Sequence, residues 1–204
     1  RGTVDAAASY GGETVADAMG TPWMPPLRVE SRLRAAIGRG LGVIRDAAFW
    51  FYYPENIEAL EEAGARLIFL DALKDAALPK LDGLYIGGGF PEAHAAALAE
   101  NGGFRAGLLA AIEGGLPVYA ECGGLMYLGQ ALHVNGGVYP MVGALPVSFS
   151  LSAKPEGHGY TVLEAEEANP FYPRGTVLHG HEFRYSRVQG WEAGRLPLAF
   201  RVER

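Results

Sequence analysis

Cysteine is almost missing from this chain: among 204 residues there is one, Cys122. A single thiol excludes an intramolecular disulfide framework and fits a reducing, cytoplasmic setting. Clustered positive charge is missing too. Lys and Arg number 17 against 23 Asp and Glu, a net charge of −6, and no basic run offers phosphates a surface. That argues against a nucleic-acid partner. No apolar run approaches the roughly 20 residues of a membrane span, and no signal peptide opens the chain, so no membrane partner is expected. The first residue is Arg1 rather than Met, which points to a fragment or a processed form.

What is abundant is apolar residues and glycine. Hydrophobic residues make up 49% of the chain, and 29 glycines stand between apolar runs, as tight turns require. Residues 1–40 read as a linker. Gly20-Thr21-Pro22-Trp23-Met24-Pro25-Pro26 favours turns and polyproline II, with a short helical piece over 31–38. From Leu41 onward, apolar runs at 41–44, 66–70, 84–86 and 116–120 read as strands, and 54–63, 91–99 and 104–113 as helices. This alternation predicts an α/β fold, a mostly parallel open sheet with helices on both faces. After Gly136 the pattern changes to short strands, at 142–147, 160–164, 176–178 and 182–188.

Cys122 falls where the chain leaves a strand and enters an apolar helix: Leu116-Pro117-Val118-Tyr119-Ala120-Glu121-Cys122-Gly123-Gly124-Leu125-Met126-Tyr127-Leu128. That is the layout of a nucleophile elbow, with small residues, Ala120 and Gly124, two positions to either side. The turn sets the Gly123 N–H and a helix start beside the sulfur, where they favour a thiolate and a developing oxyanion. Gly87-Gly88-Gly89-Phe90-Pro91-Glu92 follows the third strand, at the same carboxyl edge of the sheet. Its glycines let backbone N–H groups approach a ligand and can complete an oxyanion hole with Gly123. The loop lacks the lysine and hydroxyl residue of a Walker motif, and the G-x-G-x-x-G spacing.

Two further stretches stand out. In His179-Gly180-His181-Glu182, alternate residues share a face, so His179 and His181 can meet in one pocket. They could serve as a base for Cys122, as two metal ligands or as structural residues, and the structural reading is preferred because a third ligand is hard to find. Asp46-Ala47-Ala48-Phe49-Trp50-Phe51-Tyr52-Tyr53-Pro54-Glu55-Asn56 is rich in aromatics that either plug a core or wall a pocket, the core being favoured for any one ring.

In combination, the segments 45–56, 82–92, 119–128 and 180–186 resemble the glutaminase domain of the cobyrinic acid a,c-diamide synthase family, a triad-type class I glutamine amidotransferase. The resemblance covers about residues 41–190 with all motifs in order. It implies that Cys122 attacks the side-chain amide of glutamine and forms a glutamyl thioester, with backbone N–H groups near Gly88, Gly89 and Gly123 holding the oxyanion. It implies a partner synthetase domain that uses ATP and magnesium to amidate a corrin or sirohydrochlorin-type acceptor, and no cofactor or metal in the glutaminase domain itself. Residues 1–40 would then be a linker or the trailing edge of that synthetase domain. Residues 41–204 would be the amidotransferase domain, truncated at its C-terminus. The family's assisting histidine is expected in a motif beyond Arg204, and Arg184 stands where many relatives carry histidine, so His181 is not assigned as the base. A −6 surface does not attract a polycarboxylate, which puts the acceptor site on the synthetase domain. The competing readings are a stand-alone cysteine hydrolase and a catalytically silent docking module.

Overall fold

Period-two alternation sorts the side chains of a four-stranded sheet onto two faces. The computed structural model describes residues 40–167, 172–190 and 198–203, so the expected linker lies outside the described residues up to Gly40. Strands β1 (Gly40–Ile44), β2 (Arg66–Leu70), β3 (Gly83–Ile86) and β4 (Val118–Ala120) lie in the order β2-β1-β3-β4, all parallel. Register places Ile44, Ile86 and Ala120 in one row and Val43, Tyr85 and Tyr119 in the next.

The first row, with Leu84 and Val118, packs under helices α2 (Ala95–Glu100) and α3 (Gly102–Glu113). Phe104, Leu108 and Ile112 recur every four residues along α3 and are all buried, each contributing about 2 kcal/mol. The second row joins Leu41, Val43 and Leu60, the last from helix α1 (Pro54–Glu62), in a smaller cluster on the opposite face. Helices therefore cover both faces, as the alternation of apolar runs predicts.

Where boundaries differ from expectation, a hydrogen bond decides. Helix α3 starts at Gly102 rather than Phe104 because the Asn101 side-chain oxygen accepts the Phe104 N–H at 3.4 Å. The helix expected over 91–99 opens as a tight 3-10 turn, Pro91–His94, and only then becomes α2. Arg105 closes α2 from outside, its guanidinium donating to Leu98 O and Ala99 O at 3.2 and 2.7 Å.

Helix α4 (Gly123–Leu128) follows β4 and leads into a mostly antiparallel region, in which the pairing of the fifth strand with the seventh is parallel. Strands β5 (Ala131–Val134) and β6 (Gly137–Pro140) form a hairpin whose turn residues, Asn135 and Gly136, both have positive φ (52° and 76°). With β7 (Ser148–Leu151) and β10 (Ser186–Gln189) they make a sheet ordered β10-β7-β5-β6. Strands β8 (Gly157–Ala165), β9 (Val177–Arg184) and β11 (Phe200–Glu203) make a third, ordered β11-β8-β9.

Two expectations fail in this region. The run 142–147 is no strand: its amides cap α4 instead, Val142 N–H donating to Tyr127 O and Leu145 N–H to Leu128 O, both at 3.0 Å. It is apolar because Val142, Leu145 and Val147 are core residues, so burial alone mimics a strand signal. The strands expected over 176–178 and 182–188 are one continuous β9 followed by β10, because Gly180 pairs with Thr161 and does not interrupt the ladder. Among the described residues, no helix is long and apolar enough to cross a membrane.

Candidate active site

Three loops meet at the carboxyl edge of the parallel sheet, after β1, β3 and β4. The ladder between β3 and β4 continues one step past β4, where Glu121 N–H donates to Ile86 O at 2.9 Å. The chain then reverses at Cys122, with φ 48° and ψ −107°. A non-glycine residue held there is strained by about 1–3 kcal/mol, which its surroundings must offset. Part of the reason is steric. A Cβ on Gly124 would lie 2.6 Å from Ile86 O, and one on Gly123 2.8 Å from Pro91 Cδ and 3.1 Å from Gly89 O. The small residues after the thiol are therefore demanded by close packing of α4 on β3, which is the sharp elbow that the spacing predicts.

The glycine loop lies beside the thiol. A Cβ on Gly88 would come within 3.7 Å of Cys122 Cβ, and Gly89 N sits 3.2 Å from the Cβ position of Gly123. Gly123 opens α4, where first-turn N–H groups have no acceptor within the helix. The three glycines named from sequence are thus packed together beside Cys122. Gly88, Gly89 and the half-buried Cys122 line a cavity of about 460 Å³; Gly123 is buried and does not line it.

The aromatic stretch after β1 divides its labour. Asp46 ties its start down: its carboxylate accepts the N–H groups of Ala48, Phe49 and Ala72 at 2.7, 2.9 and 2.8 Å. Burial nevertheless outweighs those bonds and holds the Asp46 carboxyl above its ordinary pKa. Phe49 plugs the core against Tyr127, with ring centroids 5.2 Å apart. Phe51 faces the cavity, and its N–H donates to Gly88 O at 3.1 Å. Tyr52 is the clamp that sequence reasoning missed. Its hydroxyl accepts the Gly87 N–H at 2.8 Å and donates to Ile44 O, linking the end of β1 to the glycine loop. Burial raises the phenol's pKa, so it stays a neutral donor. Tyr52→Phe would leave a buried N–H and a carbonyl without partners, a loss of about 2–4 kcal/mol in unfolding free energy, measurable by urea titration.

Of the paired histidines only His181 reaches this site. It lines the cavity, its ring edge-on to His158 and Tyr160 at 5.7 Å each, whereas His179 is exposed on the stretch of β9 further from the cavity. Among the described residues no three His, Cys, Asp or Glu side chains come together as a metal site would need. The far wall comes from the antiparallel region, with Leu151, Phe183, Arg184 and Tyr185. Phe183, Arg184 and Tyr185 fall in the 180–186 segment that carries the resemblance. Only Arg184 is weighed individually from sequence, and Leu151 not at all, because their contribution depends on how β7 and β9 fold back over Cys122. Glu92, in the turn after the glycine loop, also lines the cavity.

The profile of the CobB/CobQ-like glutamine amidotransferase domain matches residues 40–203. A cobyrinate a,c-diamide synthase from Archaeoglobus fulgidus is 43% identical over 164 residues, 80% of this chain and 35% of that protein. One from Streptococcus sanguinis is 45% identical over 141 residues, 69% and 31% of the two chains. The chain thus spans about a third of the length of the curated relatives it matches. A solved structure described as a peptidase E protein, from Listeria monocytogenes EGD-e, aligns with a TM-score of 0.45 at 20% identity, covering 54% of this chain and 65% of that one.

Proposed function

The chain belongs to the CobB/CobQ-like glutamine amidotransferase domain family, and on that premise we propose that it hydrolyses glutamine and supplies the ammonia to an amidoligase reaction. The observation that carries this reading is Cys122, held at positive φ at the mouth of β4, with two glycine-rich backbones packed around it and a cavity above.

The thiolate of Cys122 adds to the δ-carbonyl carbon of glutamine. The carbonyl oxygen becomes an oxyanion received by backbone N–H groups at Gly88, Gly89 and Gly123, whose loops are packed closely against each other. Donors positioned before reaction stabilise developing charge with little reorganisation. Collapse of the tetrahedral species breaks the C–N bond, and the amide nitrogen leaves as ammonia after gaining a proton. The glutamyl thioester that remains is hydrolysed by water to glutamate, restoring the thiol. His181 belongs to the cavity wall, and no proton transfer is assigned to it.

By analogy with the cobyrinate a,c-diamide synthases it resembles, the ammonia would convert acetate side chains of cobyrinic acid, or of a related corrin or sirohydrochlorin, to amides. ATP and magnesium would act on a synthetase portion. The described residues of this chain do not fit them, since the glycine loop has no phosphate-binding lysine and no acidic cluster gathers. Glutamate release from glutamine tests the proposal: time-dependent release by this chain supports it, and none at saturating glutamine, with or without a synthetase portion, contradicts it.

A further inference from the structure

The cavity over Cys122 is walled mainly by apolar side chains, among them Phe51, Phe90, Met126 and Phe183, yet two charged groups border it. Glu92 sits in the turn after the glycine loop, on the side of the parallel sheet. Arg184 ends β9, on the side of the antiparallel strands. No ion pair joins them.

Their situations differ. Arg184 is anchored, its Nε ion-paired with Glu182 Oε1 and its Nη1 donating to Ser186 O, both at 2.6 Å. Glu92 is half-buried, and among the described residues no Lys or Arg pairs with it. Among the described residues its carboxylate accepts only its own backbone N–H and feels the attraction of His94 two residues on. Burial outweighs both and raises its pKa. A carboxylate at the edge of an apolar cavity is costly unless something positive enters the cavity beside it. A glutamine bound through its δ-amide at Cys122 carries one positive group, the α-ammonium, on the carbon three carbon–carbon bonds from the reacting one.

We infer that Glu92 receives the α-ammonium of the amino-acid substrate, with Arg184 on the facing wall as the counter-charge for its α-carboxylate. This rests on the glutamine reading above and deepens it. The site would then select free glutamine over an amide without an α-amino group, and over a glutamine embedded in a peptide, whose α-nitrogen carries no charge.

The test compares protection of Cys122 against iodoacetamide by glutamine and by glutaramate, which is glutamine without its α-amino group. Wild type and Glu92→Gln are both measured. The sign of the Glu92 shift favours a folded variant. A raised pKa means that ionising Glu92 costs stability as pH rises through the carboxylate range, so the neutral amide relieves that cost near pH 7. In wild type, glutamine is expected to protect at concentrations roughly tenfold to a hundredfold below glutaramate, the worth of one charge-assisted hydrogen bond. In Glu92→Gln, glutamine weakens by that factor while glutaramate changes little, and the two converge. If Glu92→Gln keeps the wild-type preference, or weakens both ligands equally, the inference is overturned and the glutamine reading stands. If wild type is protected by neither, the glutamine reading fails and takes the inference with it.

Discussion

Cys122→Ser is expected to lower glutamine hydrolysis by about three orders of magnitude or more while leaving the folded state intact. The side chains differ by one atom, and the backbone at position 122 must take the same positive φ in both. No packing is lost by the exchange, so a fall in stability beyond about 1 kcal/mol would point to a structural role for the thiol. The chemistry is not preserved. A thiol is partly ionised near neutral pH and is an intrinsically strong nucleophile, whereas a serine hydroxyl stays protonated unless a base is aligned with it. Glutamate release and urea unfolding, measured on the same preparation, separate the two effects. Retained turnover in the serine variant would contradict the assignment of Cys122 as nucleophile.

Gly89→Ala is expected to produce the largest structural effect of any single substitution around the site. Its φ is 156°, and a Cβ would stand 2.0 Å from Ala48 O, 2.9 Å from Ala48 C and 3.0 Å from Phe49 Cα. All three are backbone atoms, so no side chain can swing aside. The neighbouring bond, Phe90 N–H to Ala48 O at 2.9 Å, fixes the same two loops together. The expected loss is about 3–5 kcal/mol, with glutamine hydrolysis abolished because the backbone beside Cys122 must move. Gly107→Ala provides the contrast. Gly107 lies inside α3, and its Cβ would meet Leu78 at 3.6 Å, an ordinary contact. That variant should gain about 0.5–1 kcal/mol from helix propensity alone. Thermal unfolding of both variants tests the pair, and comparable stability for the two would refute the close-approach argument.

The parts of the fold that could be read from sequence are those where one physical cause dominates. Strands β1, β3 and β4 are apolar because both their faces are buried. Strand β2, at the sheet edge with only Leu70 fully buried, still carries an apolar run, so Leu41–Ile44 and Arg66–Leu70 are found within a residue of their observed limits. The elbow was legible because close packing leaves no room for a side chain at 123 and 124, a demand visible as composition. Where two causes give the same pattern, the sequence misleads: 142–147 is apolar because it fills the core while its amides cap α4. The β5–β6 hairpin had its signal in Asn135-Gly136, the dipeptide suited to two consecutive positive φ angles, and that signal went unused.

The site itself was half visible. Cys122 and the glycine loop announce themselves because reactivity and close backbone approach restrict residue type. The aromatic stretch could not be divided in advance among core, wall and clamp, since Phe49, Phe51 and Tyr52 differ only in which way the loop after β1 turns them. Phe183 and Tyr185 fall in the 180–186 segment that carries the resemblance, but their place in the far wall beside Leu151 was not legible, because no local pattern encodes how these strands fold back over the sheet edge.

The central claim is that Cys122 is an activated thiol in a glutamine pocket. The measurement that tests it most directly is labelling with a diazoketone analogue of glutamine, read by intact mass and by peptide mapping, with and without excess glutamine. One label per chain, at Cys122, suppressed by glutamine and not by glutamate amidated elsewhere than the side chain, is the predicted result. Reaction of Cys122 with a generic alkylating agent alone, indifferent to the diazoketone and unprotected by glutamine, would contradict it.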